Sequence, residues 1–212
     1  MRPRDAMWLA LRDFYANSWR LLPVNAALGA VLVASALATL AVPAAAIVVL
    51  AAGPVTAALV HCAVTLVRTG NLALADAWKG LRLHWRRGFA LGVAGAGLML
   101  LGFLAVRTYI AASLWPLAML TVYVVTLLGI YQLVLWTLAI AEAERPLRSV
   151  AREALLVVGQ RPGAMLTLGL ALLLVNAVGI AAAVMPFLTL TVAYTFLVAA
   201  HFLLEPISED TV

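Results

Sequence analysis

Six apolar runs, at about 22–42, 44–67, 89–112, 116–141, 164–185 and 187–204, decide what this chain can fold into. Crossing the hydrocarbon core of a bilayer as helix takes about 20 apolar residues, and every run approaches or exceeds that length. A soluble fold needs a polar skin, because a compact body cannot hide all of its apolar surface. Here 66% of the residues are hydrophobic and only 11% charged, whereas soluble domains average about 45–50% apolar and about 25% charged. A cytosolic enzyme, a secreted domain and a disordered regulator are excluded on that ground. The expected fold is an all-α, polytopic membrane helical bundle with six transmembrane helices.

The runs form three pairs, each broken by a proline at Pro43, Pro116 or Pro186. Proline cannot extend the helical ladder and restricts the residue before it, so the short breaks predict three antiparallel hairpins. The basic residues then sort by side. All but one of the 14 Lys and Arg fall before the first hairpin (Arg2, Arg4, Arg12, Arg20) or in the two long connections (Arg68, Lys79, Arg82, Arg86, Arg87; Arg145, Arg148, Arg152, Arg161). With six spans these segments share one side, and the positive-inside rule places them, with both termini, in the cytoplasm. A competing reading treats the N-terminus as a signal peptide cleaved within Ala41-Val-Pro-Ala-Ala-Ala46. The spanning length of the first run, and a second run directly after it, argue against cleavage. The tail 205–212, with Glu205, Glu209 and Asp210, reads as a solvated cytoplasmic end.

A basic, aromatic segment leads into each hairpin, and gapless overlay brings Trp19-Arg20, Trp85-Arg86 and Gln160-Arg161 into register. A single membrane domain with a threefold repeat, 1–67, 68–141 and 142–204, is the organisation this predicts. In the second lead, Leu74, Trp78, Leu81 and Trp85 share a helical face, with Lys79, Arg82 and Arg86 elsewhere on the wheel. That is the pattern of a cytoplasmic amphipathic helix lying at the headgroups or docked on the mouth of the bundle, and one such helix is expected before each of the three hairpins. Trp78, Lys79, Arg82, Trp85, Arg86 and Arg87 are therefore candidate contacts for anionic lipid headgroups or for a membrane protein partner. Nucleic acid is not an expected partner.

Function in membrane proteins concentrates on polar groups within the spans. No Asp or Glu lies in any of the six runs, which argues against a proton-coupled pump or an intramembrane protease. Arg107, near the outer end of the third run, reads as an interface anchor that snorkels to the headgroups. Asn25, His61, Gln132, Asn176 and His201 would line a polar cavity if they converge; otherwise they are interhelical hydrogen-bonding groups. Cys62 is the only cysteine and reads as a packing residue. No nucleophile–base or metal constellation is legible, so neither catalytic residues nor a cofactor or metal is expected. Gly53-Pro54, in the middle of the second run, predicts a kink. Gly88, Gly92 and Ala96 form a small-residue row suited to close helix approach.

Three stretches resemble the bacterial YesL family, also called the DUF624 domain. They are Gly53-Pro-Val-Thr-Ala-Ala-Leu59, Trp78-Lys-Gly-Leu-Arg-Leu-His-Trp85 and Met185-Pro-Phe-Leu-Thr-Leu190, within a likeness over roughly residues 20–204. The resemblance implies a small bacterial inner-membrane protein linked with carbohydrate uptake, and it brings no catalytic residues. The expected function is that of a non-enzymatic accessory or assembly partner of a solute-uptake system; the alternative is a small-solute transporter or channel with a cavity between the hairpins.

Overall fold

The computed structural model describes residues 2–41, 49–181 and 190–204. Pro43, Pro186, the candidate cleavage stretch beyond Ala41, residues 185–189 of the last motif and the tail 205–212 lie outside the described residues. What is described is an all-α bundle. Its helices are α1 (Pro3–Ala41), α2 (Ala52–Thr69), α3 (Leu74–Ala111), α4 (Trp115–Ala141), α5 (Leu147–Gln160), α6 (Pro162–Ala181) and α7 (Val192–Leu203). Five segments are long and apolar enough to cross a membrane: Pro3–Leu40, Val49–Thr69, Leu74–Ala111, Trp115–Ala141 and Pro162–Gly179. Val192–Leu203 is a shorter apolar helix, and the expected start of that run at 187 is not among the described residues.

The core sits towards the basic end. α2, α4 and α7 touch one another pairwise. They bury Leu59, Val60 and Leu66 of α2, Val134 and Ala139 of α4, and Leu197 and Val198 of α7 almost completely. The other end has a different surface. Leu101 and Phe103 on α3, Met119 and Tyr123 on α4, and Leu174 on α6 are each more than half exposed. Leaving such side chains in water forfeits about 1.5–3 kcal/mol apiece, and a belt of them needs lipid around it. The chain is a multi-pass membrane protein.

The leads are built differently from the expectation of three separate amphipathic helices. Only the third is a helix of its own, α5. There Arg161 leaves helical geometry (φ −134°, ψ 57°) before Pro162 starts α6, as a residue before proline is biased to do. The second lead runs unbroken into its apolar run as the 38-residue α3, about 57 Å long at 1.5 Å per residue. No proline interrupts 74–111, and a helical glycine such as Gly88 costs only about 1 kcal/mol relative to alanine. The first lead is continuous too, but α1 kinks where Asn17 departs from helical angles (φ −116°, ψ 15°); Asn17 Nδ2 donates to the Asp13 carbonyl there at 3.1 Å.

Each lead packs on a member of the inner trio. The α1 lead docks on α7, with Tyr194 Oη donating to the Met7 carbonyl at 3.1 Å and the Phe14 and Tyr194 rings edge to face. The α3 lead docks on α2, and α5 docks on α4, where Tyr131 Oη donates to the Ala151 carbonyl at 3.2 Å.

One sequence expectation about proline changes in detail, and another is met. Gly53-Pro54 does not kink the middle of a helix: a 3₁₀ turn precedes α2, so the pair falls in its first turn, where proline's missing N–H leaves no bond unmade. Pro116 likewise lies in the first turn of α4, after a tight connection in which Ser113 adopts φ 59°.

Candidate functional site

The closest helix contact in the described protein is α2 against α3, and it is set by a row of small residues. Gly53, Ala57 and His61 recur at i, i+4 and i+8 on α2 and face Gly80, His84 and Gly88 on α3, with Gly92 one turn further. A Cβ on Gly88 would lie 2.7 Å from Ala57 Cβ and 2.8 Å from the Gly53 carbonyl oxygen; one on Gly53 would lie 2.5 Å from the Gly88 oxygen. Backbone meets backbone here, as small residues allow. The Gly88–Gly92 row therefore serves contact within the chain. At the basic end of this seam His61 Nδ1 and His84 Nε2 are 3.2 Å apart, the rings tilted at 48°, with His84 buried. One ring must donate and the other accept, so the bond needs at least one neutral imidazole.

The five polar residues read from the sequence go to four places. His61 pairs with His84. His201 Nε2 pairs with Asp13 Oδ2 at 3.0 Å, tying α7 to the α1 lead. Asn25 is fully buried in α1. Only Gln132 and Asn176 share a cavity, a cleft of about 610 Å³ among α3, α4, α6 and α7. In it Asn176 Nδ2 donates to the Leu172 carbonyl and to Thr195 Oγ1, both at 2.8 Å, and the Thr195 hydroxyl in turn donates to the Thr191 carbonyl.

Sequence reasoning missed His84, Asp13 and Thr195. The signal for His84 was available. Gly80-x-x-x-His84-x-x-x-Gly88 places small residues at the same helical spacing as Gly53-x-x-x-Ala57-x-x-x-His61, which marks a seam rather than a solvated face.

The basic residues of the α3 lead divide sharply. Lys79, Arg82 and Arg86 are exposed, as are Trp78 (64%) and Trp85 (51%), and the Arg86 guanidinium lies 5.2 Å from the Trp85 ring centre. Arg87 turns the other way. It donates to the Ala139 carbonyl at 2.9 Å, to that of Glu142 at 3.3 Å and to that of Arg145. Arg68 from the end of α2 donates to the Ala141 carbonyl at 3.1 Å. These carbonyls belong to the last turn of α4 and the chain after it, where helix geometry leaves acceptors unfilled and the dipole favours cations. Arg87 is thus committed to closing α4, whereas Arg82 and Arg86 are exposed at the surface.

Next to this cap, Arg145 bonds both Glu142 and Glu153; these bonds, that to Glu153 first, hold its pKa above the ordinary value. Arg107 is exposed near the far end of α3. Among the described residues, no three His, Cys, Asp or Glu side chains gather as a metal would require.

Comparison with protein-family models, with curated proteins and with solved structures finds no match for the chain. The functional reading therefore rests on the geometry just described.

Proposed function

We propose that this is a non-enzymatic accessory or assembly protein of the bacterial cytoplasmic membrane, working through the basic, tryptophan-bearing surface of its cytoplasmic leads. In this reading the chain has six spans in three hairpins. The contact pattern supports a threefold plan, since each lead sits on the second helix of a neighbouring hairpin, cyclically: α1 on α7, α3 on α2, α5 on α4. The resemblance to the YesL family, and with it a partner in carbohydrate or other solute uptake, belongs to the same proposal.

One observation carries the reading. Trp78 and Trp85 are exposed beside Lys79, Arg82 and Arg86 on a helix that continues straight from an apolar run. If Trp85 marks headgroup depth, Trp78 stands seven residues further along. That is about 10 Å of helix, more than the headgroup layer of roughly 5–7 Å on each face. An upright α3 thus carries Trp78 past the lipid. An exposed tryptophan next to cations, beyond the bilayer, suits a protein surface, and Trp85 with Arg86 suits anionic headgroups. The polar residues His61, His201 and Asn176 support the same reading, because helix-to-helix bonds occupy them.

The test is native mass spectrometry of the full chain released gently from its own membrane, compared with a Lys79→Gln, Arg82→Gln, Arg86→Gln variant. The unsubstituted chain should carry a stoichiometric membrane-protein partner together with anionic lipid. At about 1 kcal/mol per basic residue, the triple variant should weaken retention of anionic lipid by roughly two orders of magnitude, and it should shed the partner. A partner-free chain, or one whose bound species survive the three substitutions, would defeat the proposal. A partner-free chain holding a small solute would promote the transporter reading.

A further inference from the structure

The cleft among α3, α4, α6 and α7 has an unmet requirement that the accessory reading does not use. Its walls are mainly aliphatic and aromatic, with Trp136 on one side. The Asn176 Nδ2 protons go to the Leu172 carbonyl and to Thr195 Oγ1, and the Thr195 hydroxyl proton goes to the Thr191 carbonyl. The exception is Gln132. Its Oε1 is buried and meets no hydrogen-bond partner among the described residues, and a buried polar atom left in that state costs about 1–3 kcal/mol. Gln132 lines the cleft, and its terminal amide torsion is broad, so a turn of the amide brings that acceptor within reach of a ligand there.

We infer that this cleft binds a neutral, mostly apolar molecule through one hydroxyl group held by Gln132, a lipid alcohol in chemical terms. Three observations fix the class. First, no charged side chain lines the cleft, so a carboxylate, phosphate or ammonium head would be left unpaired in an apolar wall, at heavy cost. Second, an amide side chain can present either its carbonyl or its NH₂ group to the same point. A hydroxyl both donates and accepts, so it answers either orientation, whereas an ether or ketone answers only one. Third, the rim residues Met99 and Leu173 are about half exposed on the lipid-facing surface, so the opening is lateral and a hydrophobic ligand can enter from the bilayer. The volume, about 610 Å³, falls within the range of small-molecule sites.

Gly129 gives the site a clean probe. It lines the cleft, and a Cβ placed on it meets nothing within 4 Å. Gly129→Leu should fill the space without striking a neighbour, and Gln132→Leu should remove the acceptor while keeping the bulk. The experiment uses the full chain in nanodiscs with a diazirine-bearing sixteen-carbon alcohol as photoprobe. Unlabelled hexadecanol, its methyl ether and palmitate serve as competitors, and labelled residues are mapped by mass spectrometry.

Label should fall on α4 and α6 residues of the cleft. Hexadecanol should compete at least about tenfold better than the ether or the acid, the scale of one hydrogen bond to a buried acceptor. Gln132→Leu should erase that preference, and Gly129→Leu should abolish labelling while the thermal midpoint is kept or raised. Equal competition by alcohol and ether, or labelling indifferent to Gly129→Leu, would make the cleft an ordinary lipid-filled gap and overturn the inference. These outcomes do not depend on whether a protein partner docks on α3.

Discussion

Gly88→Ala should destabilise the protein by about 2–3 kcal/mol, the upper part of the range for forcing extra atoms into a packed interface, and Gly53→Ala by a similar amount. The reason is what the new methyl would meet. On Gly88 it would lie 2.8 Å from the Gly53 carbonyl oxygen and 3.0 Å from Pro54 Cα. Those atoms are backbone and cannot swing aside as a side-chain tip would, so α2 and α3 must separate along the whole seam. That motion also stretches the His61–His84 bond, which lies about one turn from Gly88 on α3 and two turns from Gly53 on α2, towards the basic end. Gly95 and Gly97, on the same helix, have nothing within 4 Å of a built Cβ. Alanine there should be neutral or stabilise by about 0.5–1 kcal/mol, because it removes glycine's backbone entropy at no steric cost. Thermal unfolding of the four single variants in one detergent separates the cases. If Gly88→Ala and Gly95→Ala unfold alike, the close approach of α2 and α3 is not what holds the core together.

The contrast between those glycines also shows what a sequence can reveal here. Apolar runs and the one-sided charge pattern are local and additive, so membrane residence and helical class were legible from residue types alone. The small-residue row marked Gly88 for close approach in that reading, but residue types alone could not name the neighbour it approaches. Only the position of α2 makes Gly88 indispensable to packing and leaves Gly95 facing open space. Helix continuity was misjudged for a related reason. The change from amphipathic to fully apolar character near residue 88 marks a change of surroundings, and nothing in it ends a helix. A true stop signal, Arg161-Pro162, did end α5, and Asn17 bent α1. The candidate cavity was half legible. Gln132 and Asn176 meet in one cleft, while His61 and His201 found His84 and Asp13 on leads for which docking on the bundle was one of two open readings.

Arg87→Gln should cost about 3 kcal/mol, whereas Arg86→Gln, its neighbour in sequence, should stay within about 0.5 kcal/mol, as a surface substitution does. Arg86 is exposed and leans on Trp85. Arg87 supplies charge-assisted donors to three carbonyls spanning Ala139 to Arg145, where such bonds are individually worth about 1.5–3 kcal/mol and where the dipole of α4 adds a favourable field for a cation. Glutamine is too short and has too few donors to reach all three. Arg87→Lys keeps the charge but not the planar fork, and should recover no more than about half of the loss. Arg68→Gln removes one donor to the same helix end, at the Ala141 carbonyl, and should fall between Arg86→Gln and Arg87→Gln. The order of unfolding midpoints is therefore fixed in advance: Arg86→Gln highest, then Arg68→Gln, then Arg87→Gln. Circular dichroism should also show fraying of α4 in the last of these. Equal effects at 86 and 87 would mean that α4 is closed by other groups and that Arg87 is a surface cation like its neighbours. The distinction bears on the docking test as well. Arg87 was left out of the triple substitution because its removal would loosen the core, and a lost partner could then no longer be traced to the exposed surface of α3.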